Sequence, residues 1–72
     1  DKEDKELISK IIDIHPELEN LLKEHANYDK EIKELDDLPY LTQEQELQKK
    51  KLKKLKLKNK DMIEMILSQY RK

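Results

Sequence analysis

The sequence predicts an all-α protein: an antiparallel, coiled-coil-like helical hairpin, its first helix kinked or broken near Pro16, pairing into a dimeric four-helix bundle. Three observations predict it. The 72 residues are dominated by Leu, Ile, Glu, Lys and Gln, mostly good helix formers, and Gly, Cys, Phe, Trp and Val are absent. No stretch alternates apolar and polar residues as a half-buried strand would. A single turn signal, DDLPYLT at 36–42, divides the chain into two arms of nearly equal length. So short a chain is expected to hold one domain, 1–72.

The first helix is expected over about 5–37. Pro16 removes the amide that would bond Ile12, which costs ~3 kcal/mol inside a continuous helix. The helix therefore either kinks at 15–16 or stops near Ile14 and restarts with Pro16 as its first residue. The break, with His15 as the junction, is the favoured of the two. Pro39 lacks an amide proton and pushes Leu38 out of the α region, so the first arm ends near Asp37 and a turn follows over 38–42. Thr42 is then an N-cap, and Gln45 three residues later completes a capping box. The second helix is expected over about 43–71. A link this short makes the two arms antiparallel neighbours.

A heptad frame sharpens the pairing. With position a at Ile11, Leu18, His25 and Ile32, position d falls on Leu7, Ile14, Leu21, Tyr28 and Leu35. In the second arm a falls on Gln45, Leu52, Asn59 and Ile66, and d on Gln48, Leu55, Met62 and Gln69. Folding about the turn sets Tyr28 against Leu52, His25 against Leu55, Leu21 against Asn59, Leu18 against Met62 and Ile14 against Ile66. The same register brings Glu31 near Lys51, Glu24 near Lys58 and Asp29 near Lys49. Opposite charges thus meet in a register chosen from the apolar residues, an agreement between levels that argues for the hairpin.

Charge is divided unevenly. Residues 1–48 hold 15 acids and 6 Lys, a net of −9, while residues 49–72 hold 10 bases and 2 acids, a net of +8. The run KKKLKKLKLKNK at 49–60 carries eight Lys and no acid. Its like-charge i,i+4 pairs, such as Lys49/Lys53 and Lys54/Lys58, weaken a lone helix by roughly 0.2–0.5 kcal/mol each. An acidic neighbour relieves this, and the first arm is one. Charge matching within the hairpin is therefore the favoured reading of the run. The alternative is weak, sequence-independent anion binding, to nucleic acid or anionic lipid, through the outward Lys50, Lys53, Lys54 and Lys60. That run has no Arg and no stacking aromatic, which counts against a nucleic-acid site.

The end of the hairpin far from the turn carries more apolar residues than a two-helix seam can use. Ile8, Ile12, Ile63, Met65, Leu67 and Tyr70 form the candidate self-association surface, because bare apolar surface of this sort finds a partner. Ordering the chain is entropically costly and a two-helix seam buries little apolar area, which favours a homodimer. The alternative is a monomer whose N-terminal segment folds back beyond Pro16 to make a three-helix unit. A second copy is the expected partner, another protein the next, nucleic acid or an anionic membrane surface the less favoured, and no small-molecule substrate is expected.

Chemistry is sparsely provided for. Without Cys there is no thiolate metal site, disulfide or cysteine nucleophile, and without Gly no phosphate-cradling loop of the GxGxxG type. His15 and His25 are too far apart in sequence to suggest a metal site, so no catalytic residue, cofactor or metal is expected and the chain is read as non-enzymatic. His25 is expected in the seam with one hydrogen bond. Asn59 is either a partly exposed seam residue or a selector of register, as buried Asn can be in coiled coils. Tyr28 and Tyr70 are packing residues with wet hydroxyls. No apolar run approaches the ~18 residues needed to cross a bilayer, and no signal-peptide pattern is visible.

The stretch HPELENLLKEHANYDKEI, residues 15–32, followed by KLKLKNKDMIEMI, residues 54–66, resembles the YdcH-like family of short bacterial cytoplasmic proteins of unassigned function. Pro16, Leu18, Leu22, His25, Tyr28, Asp29 and Ile32 match the first part of its pattern. Leu57, Lys58, Lys60, Asp61, Ile63 and Ile66 match the second. Asn59 departs from it, standing where such proteins place Leu. The resemblance spans roughly residues 7–70 and implies a cytoplasmic helical hairpin with no known enzyme activity. It supplies no substrate and no catalytic residue.

Overall fold

A computed structural model describes residues 2–71. They form three helices and no strand: α1 (Lys2–Ile11), α2 (Pro16–Asp36) and α3 (Gln43–Tyr70). The longest, α3, has 28 residues and sets the long axis of a body 45 × 19 × 18 Å across.

Pro16 decides the first boundary. It is the first residue of α2, where its missing amide proton costs nothing. His15 precedes it with φ −135° and ψ 86°, the extended backbone that a following proline imposes. The carbonyl of Ile11 accepts from the amides of both Ile14 and His15, which closes off α1. The second boundary follows Pro39. α2 ends at Asp36, and α3 starts after Thr42 with the expected box: the Gln45 amide donates to Thr42 Oγ1 at 3.1 Å, and the Thr42 amide donates to Gln45 Oε1 at 3.0 Å.

α2 and α3 lie alongside in opposite senses. Asp36 meets Lys49 near the turn, Asp29 meets Lys56 further along, and the Asn59 amide donates to the Leu21 carbonyl at 3.0 Å. Leu21 and Asn59 are the layer partners that the heptad frame proposes. The flanking charges fall elsewhere. Asp29 pairs with Lys56 rather than Lys49, which is taken by Asp36. Both pairs join e positions, one heptad away from the expected offset. Glu24, Glu31, Lys51 and Lys58 form no ion pair among the described residues.

The first arm is broken before Pro16 into two helices, the favoured of the two expectations, with α1 ending at Ile11. The heptad phase runs through Pro16 in sequence, but residues 12–15 leave the helix, so Ile14 is exposed instead of layering on Ile66. α1 packs on the far end of α3. Its Ile11 joins Leu18 and Leu21 of α2 and Ile63, Ile66 and Leu67 of α3 in one buried cluster, with Leu7, Ile8 and Leu22 packed around it. The stripe Leu7, Ile8 and Ile11 explains the docking, since i, i+1 and i+4 share one helix face.

Candidate functional site

The six residues proposed for self-association do not form one surface. Ile63 and Leu67 are 7% and 2% exposed and belong to the core of the single chain, because α1 lies over their flank of α3. Ile8 and Ile12 are half-buried. Tyr70 sits at the edge, its ring 6.4 Å from that of His15 in an edge-on contact at 77°. Of the six, only Met65 stands well out, at 64% exposure.

A different face of α3 is left bare. At 100° per residue, Leu55, Met62 and Met65 lie on the flank turned away from α1, with Lys51 and Lys58 among them. Met62 is 44% exposed and Leu55 37%. Across the seam on the same side, α2 presents Glu17, Glu24 and Glu31, all exposed, beside the half-buried Tyr28. A shallow groove lined by Glu17, Asn20, Leu21 and Met62 marks where the two helices meet on this face. An acidic row on α2 therefore runs beside a face of α3 in which Lys51 and Lys58 alternate with Leu55, Met62 and Met65. The heptad frame held these residues, since all the charged ones are g positions. It did not single out the face, because whether a flank is covered depends on where α1 docks.

The opposite flank is electrostatically closed near the turn. The Lys56 ammonium, bonding to Asp29, holds that carboxyl below its usual value, and Lys49 does the same for Asp36. Lys50, Lys53, Lys54 and Lys60 point outward, exposed, and make no ion pair among the described residues.

Inside the seam, His25 Nε2 lies 3.4 Å from Asp29 Oδ2, one turn along α2, while its Nδ1 is buried without a hydrogen-bond partner. Asn59 is 4% exposed, so it is a fully enclosed seam residue rather than a partly exposed one. Its amide nitrogen is satisfied by Leu21 and its Oδ1 is not. His15 Nε2 approaches Glu17 at 4.0 Å. Among the described residues, no three His, Asp or Glu side chains converge as a metal site, and no helix is long and apolar enough to cross a membrane.

No family model, curated protein or solved structure matches the chain.

Proposed function

We propose that the protein is a non-enzymatic helical interaction module of the YdcH-like type, acting in the bacterial cytoplasm, whose α2–α3 hairpin pairs with a second copy into a four-helix bundle. The observation that carries this reading is the surface the single chain leaves uncovered. A compact 8.8 kDa monomer has about 4,800 Å² of accessible surface. This chain has 6072 Å², and the bare flank of α3 places Leu55, Met62 and Met65 in it. The difference, about 1,300 Å², is more than the ~800 Å² that one partner contributes to a standard-size interface. Sedimentation equilibrium at ~100 µM tests the reading, since association depends on protomer concentration. Twice 8.8 kDa is expected, and a mass of 8.8 kDa removes the proposal.

A second reading is favoured by one observation: four outward lysines, Lys50, Lys53, Lys54 and Lys60, are exposed and make no ion pair among the described residues. Together they suit a phosphate backbone or an anionic lipid surface, with affinity that falls steeply as salt concentration rises, because the release of counterions on binding is then less favourable. Fluorescence titration with duplex DNA, single-stranded RNA and anionic vesicles, at low and physiological salt, tests it. Absence of binding at low salt ends this reading.

A further inference from the structure

The bare face of the α2–α3 pair carries its own complement, and this selects how a second copy sits on it. On one side run Glu24 and Glu31 of α2, on the other Lys58 and Lys51 of α3, with Met62 and Met65 beside the lysines; the four charged residues are exposed and make no ion pair among the described residues. The Asn59–Leu21 hydrogen bond fixes the register between the helices. In that register Glu24 stands within a turn of the height of Lys58, and Glu31 within a turn of Lys51.

We infer that two copies join through this face about a two-fold axis parallel to the helices, with Glu24 and Glu31 of each copy meeting Lys58 and Lys51 of the other and with Met62 and Met65 of each copy beside those lysines, against the partner's α2. The inference rests on self-association and adds the face and its symmetry. Two face-to-face arrangements have the required two-fold symmetry. An axis across the helices lays α2 on α2 and α3 on α3, so glutamate row faces glutamate row and lysine row faces lysine row. An axis along the helices lays α2 on the partner's α3 and keeps every residue at its own height, so each acid meets a base. Like charges set opposite each other act against the first arrangement, and complementary rows steer the second. The methionines suit this face because their unbranched thioethers adapt to the facing surface of the partner's α2.

Two variants of the full chain test it: Glu24→Lys with Glu31→Lys, whose face is all basic, and Lys51→Glu with Lys58→Glu, whose face is all acidic. All four sites are exposed, and circular dichroism verifies that both variants remain helical. By sedimentation at low salt, each variant alone should dissociate at least about tenfold more readily than the unaltered chain, and an equimolar mixture should dimerise again. Variants that self-associate as tightly as the unaltered chain, with a mixture tighter still, place like helices over one another and overturn the arrangement. Variants that weaken without recovery on mixing overturn it as well. In both cases the unaltered chain is still a dimer and the self-association reading stands. An unaltered chain that sediments as a monomer instead overturns that reading and this inference together.

Discussion

Asn59 shows how much one side chain can specify in a seam this small. Its nitrogen bonds the Leu21 carbonyl, which ties α3 to a particular turn of α2, while its enclosed oxygen has no partner. A buried polar atom left unsatisfied costs on the order of 1–3 kcal/mol, and the hydrogen bond returns only about 1 kcal/mol. Asn59 is thus a device for register rather than for stability, as single polar residues are in coiled coils. Asn59→Leu is expected to raise the midpoint of chemical denaturation by an amount equivalent to ~1 kcal/mol, because the Leu21 carbonyl lies inside α2, where the helix itself supplies a donor. A lowered midpoint would show that the amide is worth more than its enclosure costs. The pairing with Leu21 was legible from the heptad frame. The enclosure was not, since the frame counts positions and does not see that Asn59 is left only 4% exposed.

At the scale of the helices, the ends were readable and the cross-helix charges only in part. Pro16, Pro39 and Thr42 act through backbone geometry that each residue carries with it, so α2 and α3 begin where those residues predict. Ion pairs depend on side-chain reach, and Asp29 and Asp36 found lysines a heptad from the expected offset. Both pairs matter to α3, whose lysines repel along the helix: Lys56 and Lys49 each have a like-charged neighbour four residues on, Lys60 and Lys53. Because Lys56 and Lys49 hold the two carboxyls below their ordinary value of 3.8, the aspartates bind protons less readily in the folded chain than in the unfolded one. Their contribution is therefore complete above that value and disappears as the pH falls through the lower folded values. Thermal melts of the chain and of an Asp29→Asn, Asp36→Asn variant should differ at pH 7 and converge towards pH 2. A gap that stays constant across that range would mean the carboxylate charge is not what the lysines use. Both groups are exposed, so the gap should be small and should narrow with added salt.

For the whole molecule, α1 is the element that sequence pattern placed least well. Its apolar residues continue the heptad phase of α2, so even with a break at Pro16 they read first as a surplus to offer a partner, with a fold-back into a three-helix unit as the alternative. The backbone at residues 12–15 breaks that continuity and lets part of the surplus be used within the chain, where Ile11 caps Ile63 and Leu67. This is why the flank that α1 leaves open, and not the end of the hairpin, is the surface proposed for association. It also divides the molecule into regions of unequal stability. A ten-residue helix is too short to persist alone in water, so α1 is helical only while docked. The α2–α3 seam is longer and has its own hydrogen bond and ion pairs. Local opening follows such differences in packing. Amide hydrogen exchange should therefore be fastest in α1 and slowest around Leu21 and Asn59. Ile11→Ala, which removes a buried side chain from the cluster at a cost of about 2–5 kcal/mol, should speed exchange throughout α1 while the centre of the seam stays protected. If protection at Leu21 and Asn59 fell in step with α1, all three helices would form one cooperative unit, and the hairpin would not be the part of the chain that stands without its cover.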